Sequence, residues 1–348
     1  MGKQFGGKAG QIELDKYARS KHWNGEVFVN LEETKMDMPF SAIPRLLYNQ
    51  LFKRKGREPK QKIPVIPFNK TQFLAESDTA KFIWYGHSAL LLRINNKTIL
   101  IDPMLGPDAA PIAPFKLKRY NDVSLDLIND LPEIDLMILS HDHYDHIDLK
   151  SIELLKPKVN KYYVALGVER HLTSWGIESE NITEFDWWET KSFEKIEITF
   201  TPTRHFSGRG IKDRNKGLWG GWVFKTTEES IWFSGDGGYG EHFKEIGEKL
   251  GPFDLAFMEC GQYNKLWRPI HLYPDQSVQA GIDANAKKIM PVHWGSFTLS
   301  DHYWTEPAEQ FVTECKSKEI PYITPRIGEL VTSFGNYKNQ DWWASYNN

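Results

Sequence analysis

The sequence predicts an α/β fold in which mixed β-sheets are covered by helices. At 348 residues the chain can bury a sizeable core, as one large domain or two ordinary ones. From Lys81 onward, short apolar runs rich in β-branched and aromatic residues recur between turn residues, which is the pattern of strands. The early runs follow one another as hairpins, and the later ones alternate with segments of helical period. Hairpins followed by alternation give mixed rather than purely antiparallel sheets.

Residues 1–79 are polar, rich in Gly and Lys, and interrupted by KRKGREPKQKIPVIP; they are expected to form an extension that wraps a domain spanning 80–348. The apolar patch AIPRLLYNQLF within them fits a short amphipathic helix. Leu46, Leu47, Leu51 and Phe52 beside Lys53, Arg54, Lys55 and Arg57 could face a membrane surface, although docking on the core is the favoured reading. KFIWY, ALLLRI and KTILID then read as strands joined by turns such as INNK. LMILS, YYVAL, KIEITF, GWVFKT, SIWFSG, DLAFME and KIMPVH follow as further strands. LKSIELLK, VERHLTSW, HFKEIGEKL, DQSVQAGIDA and EPAEQFVTECKSK are the helical candidates between them.

Lys and Arg number 43 against 46 Asp and Glu, a net charge of -3, so no basic excess points to nucleic acid. The 13 Trp, 14 Tyr and 20 Phe suit a heavily packed core or an apolar groove. Trp187, Trp188, Trp219 and Trp222 could wall a cleft for acyl groups or pack sheet layers together. Cys260 and Cys315 are too few and too far apart for a disulfide framework and are expected as free thiols. No run of about 18 apolar residues occurs and the first residues lack a signal peptide's apolar segment. A cytoplasmic or peripheral membrane location is expected, or an extracytoplasmic one if a leader or anchor has been removed.

The stretch ILSHDHYDHID, residues 138–148, concentrates three His and three Asp behind an apolar run. Side chains at the C-terminal end of such a strand are where α/β sheets place reactive groups. Desolvating each of His141, His143, Asp145 and His146 separately is costly, and a metal ion converts that cost into an organised site. His205 after EITFTPTR, Asp236 after SIWFSG and His293 after KKIMPV are ligand-type residues in the same position relative to later strands. The glycines of GDGGYG have neither Walker nor GxGxxG spacing, so close backbone approach around Asp236 is the better account. His87 in YGHSALL could line a cleft floor, with a structural role slightly preferred; His22, His171, His242 and His302 are expected to be exposed.

WYGHSALLL, LIDPML, ILSHDHYDHID, EFDWWE, TPTRHFSGR, NKGLWGGW, FSGDGGY, EIGEKLGPFDLA and PVHWGSF, spread over roughly residues 80–300, resemble the metallo-β-lactamase fold superfamily. Within it they are most similar to the N-acyl-phosphatidylethanolamine-hydrolysing phospholipase D family and its bacterial relatives. The resemblance implies a four-layer αβ/βα sandwich with two metal ions in a cleft along its upper edge. His141, His143 and His205 would hold one metal; Asp145, His146 and His293 the other; Asp236 would bridge them. Two zinc ions are expected, with manganese or iron as alternatives. Asp102 would orient the 141–146 loop rather than bind metal.

The implied activity is hydrolysis of a phosphodiester in phospholipid-like, N-acyl-phosphatidylethanolamine-type substrates by a metal-bridging hydroxide. Asp145, Asp236 and His271 are the catalytic candidates. His271, in RPIHLYP, lies in a loop that approaches the cleft in that family and would protonate the leaving oxygen or orient substrate. The absence of GxSxG supports direct attack by water. The N-terminal segment and CGQYNKLWRPIHLYP depart most from the animal enzyme and are where lipid access would differ. The partner expected is a small-molecule or lipid phosphodiester, with peripheral membrane contact. Hydrolysis of a carboxylic ester, lactone or amide is the alternative, and a metal-stabilised sensor of lipid or nucleotide the third reading. An intact set of seven ligands argues against a sensor.

Overall fold

The computed structural model describes residues 2–35, 39–110, 116–210 and 212–347. Two mixed sheets lie face to face. The first begins as a meander of β1 (Lys81–Trp84), β2 (Leu90–Ile94) and β3 (Lys97–Ile101). The turn between β2 and β3 is Asn95-Asn96, both at positive φ (48° and 59°), a conformation Asn tolerates and a tight hairpin requires. β4 (Ile134–Leu139), β5 (Val159–Ala165) and β6 (Ile182–Phe185) then add in parallel. The second sheet runs through β7 (Thr190–Phe193), β8 (Ile196–Pro202), β9 (Gly220–Lys225) and β10 (Ser230–Phe233) as antiparallel neighbours. β11 (Leu255–Glu259) and β12 (Ile289–Val292) extend it in parallel, and β13 (Leu330–Thr332) returns to pair with β1.

The central strands read as continuous apolar runs because both of their faces are covered. Between the sheets Phe82 meets Phe257 edge-on at 4.9 Å, and Trp222 meets Phe185 at 5.0 Å. Trp187, Trp219 and Trp222 are buried in this core and Trp188 is half-buried beside it, so these rings pack layers and do not wall a cleft. Phe243, Ile246, Val278 and Phe311, from the helices His242–Leu250, Pro274–Asp283 and Glu306–Ser317, seal the outer face of the second sheet. Leu149–Leu155, capped by Asp148 accepting from Ser151 N at 2.9 Å, turns Leu149, Ile152 and Leu155 toward the first sheet. Helix, sheet, sheet, helix is the four-layer sandwich.

All ten strands and the helices read from the sequence are present, with ends that coincide or shift by up to three residues. β6, β7 and β13 were not legible: they are three or four residues long and carry ITEF, TKSF and LVT, too short and polar for a period to register. Residues before 80 contribute Tyr17, Phe28, Ile63 and Phe73 to the same apolar cluster as the strands. Cys260 and Cys315 are buried free thiols. No helix among the described residues is long and apolar enough to cross a membrane.

Candidate metal centre

Loops leaving β4, β8, β10 and β12 bring seven side chains from distant parts of the sequence together, and His143, Asp145, Asp236 and His293 among them line a cleft of about 290 Å³. His141, His143 and His205 form one group: His143 Nδ1 lies 2.9 Å from His141 Nε2 and 3.2 Å from His205 Nε2. The outward nitrogens of two of the three are already engaged, His141 Nδ1 with Ser140 Oγ at 2.9 Å and His205 Nδ1 donating to the Ile270 carbonyl at 2.9 Å. The inward nitrogens therefore face one another. Burial and the neighbouring imidazoles hold the pKa values of His141 and His205 well below the usual range, so these rings present lone pairs.

The second group is Asp145, His146 and His293, with Asp236 between the two. Asp236 Oδ2 lies 3.0 Å from His146 Nε2, and its Oδ1 lies 3.2 Å from His293 Nδ1 without hydrogen-bond alignment. Asp236 Oδ1 and His293 Nε2 are buried with no hydrogen-bond partner among the described residues. Such atoms are expensive to bury unless a cation completes them, so the donor set fits bound metal. Burial opposes a charge on Asp145, yet His146, His87 and His293 hold its pKa far below that of an ordinary carboxyl. Burial likewise opposes a charge on His146, but Asp236, Asp145 and Asp102 outweigh it and drive its pKa well up.

Asp102 sits directly behind the His141–His146 loop. It accepts from Ser140 N at 2.8 Å, Ser140 Oγ at 2.6 Å and His146 Nδ1 at 2.7 Å, which leaves His146 Nε2 as the inward atom. Asp102→Asn should weaken metal affinity by about 10–100-fold, the usual cost of losing a carboxylate behind a ligating imidazole. Competition against a chelator measures it. Unchanged affinity would reduce Asp102 to a loop tether.

His87 is drawn into the site more closely than its sequence context suggested. Its Nε2 lies 2.8 Å from Asp145 Oδ2, and its backbone bridges the sheets, His87 N to Trp294 O at 2.7 Å and His293 N to His87 O at 2.8 Å. His87, Asp102 and His293 all have positive φ (53°, 41° and 67°), strained backbone of the kind that collects at functional sites. Gly235 (φ 65°) lets the chain before Asp236 pass against the Gly220 carbonyl, where a Cβ would collide.

Asp142, the second residue of the motif, points away from the cleft. It accepts from Gly208 N at 2.7 Å, His171 Nε2 at 3.1 Å and Arg170 Nη2 at 3.3 Å. Arg209 Nη1 donates to the carbonyls of Asp142 and Ile147, and its Nε donates to Gln4 O at 3.0 Å. The N-terminal segment also reaches the site itself: the Asn30 amide pairs with His205 N at 3.0 Å and His205 O at 2.8 Å. This covering explains a departure from expectation. His22, His171 and His242 are buried, and His302 is half-buried, accepting from Gln262 N at 2.9 Å.

His271 lines the same cleft as His143, Asp145, Asp236 and His293. Its ring centroid lies 5.1 Å from that of His205 and 5.4 Å from that of His293. Its Nδ1 meets Glu259 Oε1 at 2.9 Å, a partner the sequence did not reveal because Glu259 reads as the polar end of DLAFME. Burial pushes the Glu259 carboxyl up to about 7 against the pull of His271. The His271 imidazole is raised too, because that carboxyl offsets the cost of burial. Phe206, Trp267, Ile270 and Leu299 form the apolar wall, and Arg214 stands over Phe206 at 4.4 Å with no carboxylate in ion-pair range among the described residues.

A family profile described as the Beta-lactamase superfamily domain matches residues 97–294. The chain is similar to a Mycobacterium tuberculosis protein, 31% identical over 330 residues that cover 93% of this chain and 88% of the relative. It is also similar to N-acyl-phosphatidylethanolamine-hydrolyzing phospholipase D 1 of Caenorhabditis elegans, 32% identical over 286 residues covering 77% of this chain and 80% of that one. Among solved structures, a metallo hydrolase from the archaeon Ignicoccus hospitalis shares the fold, with a TM-score of 0.57 at 20% identity over 75% of this chain and 100% of the other. A profile match across more than half of the chain places it in the metallo-β-lactamase superfamily, as one of that superfamily's metal-dependent hydrolases.

Proposed function

We propose that this cleft hydrolyses phosphodiesters and that its substrates are phospholipid-like, of the N-acyl-phosphatidylethanolamine type. The observation that carries this reading is the 32% identity over 286 residues to the C. elegans enzyme whose name states that reaction. His141, His143 and His205 would hold one metal and Asp145, His146 and His293 the other, with Asp236 shared. When bound, two zinc ions, or manganese or iron in their place, supply a nucleophilic water near neutral pH and positive charge for the phosphoryl oxygens. Arg214, with no carboxylate in ion-pair range among the described residues, offers its guanidinium to an anionic group at the mouth. Phe206 and Trp267 exclude bulk water, and His271 faces the space a leaving oxygen would occupy.

The cleft is too small for acyl chains. A second groove of about 640 Å³, lined by Leu46, Arg45, Tyr263, Leu266 and Tyr273, shares the 262–273 segment with it and suits the rest of a lipid. Turnover of bis-p-nitrophenyl phosphate and of N-acyl-phosphatidylethanolamine by metal-loaded protein, with simple lactones as the contrast, tests the reading. Lactone hydrolysis alone would point to carbonyl chemistry, and no turnover of any substrate to a sensor.

Peripheral membrane contact belongs to the same proposal. On the helix Ile43–Phe52, Leu47, Tyr48 and Phe52 are exposed, and Arg45, Lys53, Arg54 and Lys55 flank them. Leu46 is half-buried in the groove, and the Leu51 side chain lies outside the described residues. Arg57, expected on the cationic face, is instead buried at 4% exposure: it donates to the carbonyls of Asn49 and Ser300, pairs with Asp301, and ties the helix to the body. Deleting the helix would disturb that tie, so substitution is the cleaner test. Replacing Leu47, Tyr48 and Phe52 together by Ser should weaken binding to anionic vesicles by at least about tenfold, roughly 1.4 kcal/mol. Turnover of a small soluble diester should stay unchanged. Undiminished vesicle binding would remove the helix from any membrane role.

A further inference from the structure

Glu259, the last residue of β11, carries a carboxylate with 1% exposure at the back of the cleft. Both of its oxygens are engaged: Oε2 accepts from Leu272 N at 2.7 Å, and Oε1 meets His271 Nδ1 at 2.9 Å. Its own N–H donates to Ser234 Oγ at 2.9 Å, which fixes the strand end against the turn that leads to Asp236. The two groups that Glu259 holds are therefore adjacent residues of the loop that closes the cleft. A backbone N–H can only donate, so one oxygen is held as its acceptor and the other is left facing His271. The remaining oxygen then fixes the imidazole, because a carboxylate beside Nδ1 favours the proton on that nitrogen.

We infer that Glu259 is a positioning residue, which locks the His271 imidazole with Nδ1–H turned inward and Nε2 turned toward the metal cleft. The inference rests on the phosphodiesterase reading only for its consequence, since Nε2 is the atom that would meet a leaving oxygen. Gln in place of Glu259 is nearly isosteric but has a single carbonyl oxygen. If that oxygen keeps the Leu272 N–H, the amide NH2 faces His271 Nδ1, which must then accept, and the imidazole proton moves to Nε2. The ring stays in place, but without a carboxylate at Nδ1 the charged ring is no longer favoured, and a neutral ring is a far weaker acid at Nε2.

The test uses metal-loaded protein labelled with 15N-histidine. The Nδ1–H signal of His271, assigned by its loss in His271→Ala, should be present in the wild type and displaced to Nε2–H in Glu259→Gln. With a diester of an alkoxide leaving group, Glu259→Gln should lower kcat by about 10–100-fold and leave KM and metal content near wild type. In the His271→Ala background the same substitution should have no further effect on kcat, because its influence passes through that ring. A wild-type His271 without a proton on Nδ1 would overturn the inference even if the variant failed to fold. So would an equal loss of kcat in both backgrounds, which marks a merely structural role. If no diester is turned over at all, the phosphodiesterase reading fails and the NMR comparison still decides the orientation of His271.

Discussion

Asp236→Ala should release at least one metal ion per chain and lower hydrolysis by about 10³-fold or more, the upper end of what losing one preorganised electrostatic element costs. The carboxylate lies 3.0 Å from His146 Nε2 and 3.2 Å from His293 Nδ1 in one candidate group, and it clusters with His141 and His205 of the other. It is also buried, so no water can stand in as an equivalent anion. Burial works against its charge, and His146, His293 and His141 nevertheless keep it ionised, with its pKa well below the usual range. Removing it leaves Asp145 as the one remaining acid of the seven and strips charge compensation from both metal positions. Elemental analysis after dialysis reads the first effect, and turnover of a soluble diester the second. Asp236→Asn separates charge from shape, because it keeps the volume and one neutral oxygen. Full metal content with normal activity in Asp236→Ala would end its assignment as the shared ligand.

What made this site legible in the sequence was cost. His141, His143, Asp145 and His146 stand together after an apolar strand, where each would be expensive to bury alone. His205, Asp236 and His293 became candidates because each is a ligand-type residue just after an apolar strand, and the structure places the seven in overlapping groups of three or four possible ligands. The sheets were legible wherever a strand was long and apolar enough to show its pattern. Of the residues that support the candidate ligands, Asp102 was expected from the resemblance; the others were not legible, because their roles exist only through contacts far apart in the chain. Asn30 clasps His205 across 175 positions, and His87 meets Asp145 across 58. Asp142 shares the motif with the ligands and reads like one of them. Only its direction, toward His171 and Gly208 and away from the cleft, shows that it anchors the loop.

His271→Ala should keep both metals yet slow substrates with natural alkoxide leaving groups by about 10²–10⁴-fold, the usual size of general acid–base catalysis. An alkoxide is a poor leaving group unless it takes up a proton as its bond to phosphorus breaks, and His271 lines the cleft without belonging to the seven residues proposed to hold metal. Glu259 behind it favours the charged ring, as the upward shift of the His271 pKa shows despite burial. A p-nitrophenolate leaves readily without that proton, so its release should be slowed far less. The ratio of the two rates is the diagnostic quantity, because a change in fold, metal content or access would lower both together. Equal slowing would mean that His271 positions substrate, and no slowing of either would leave it a loop residue that merely lines the cleft. If the seven candidate ligands hold the metal, a large change in the ratio at constant metal content points to loss of the proton donor.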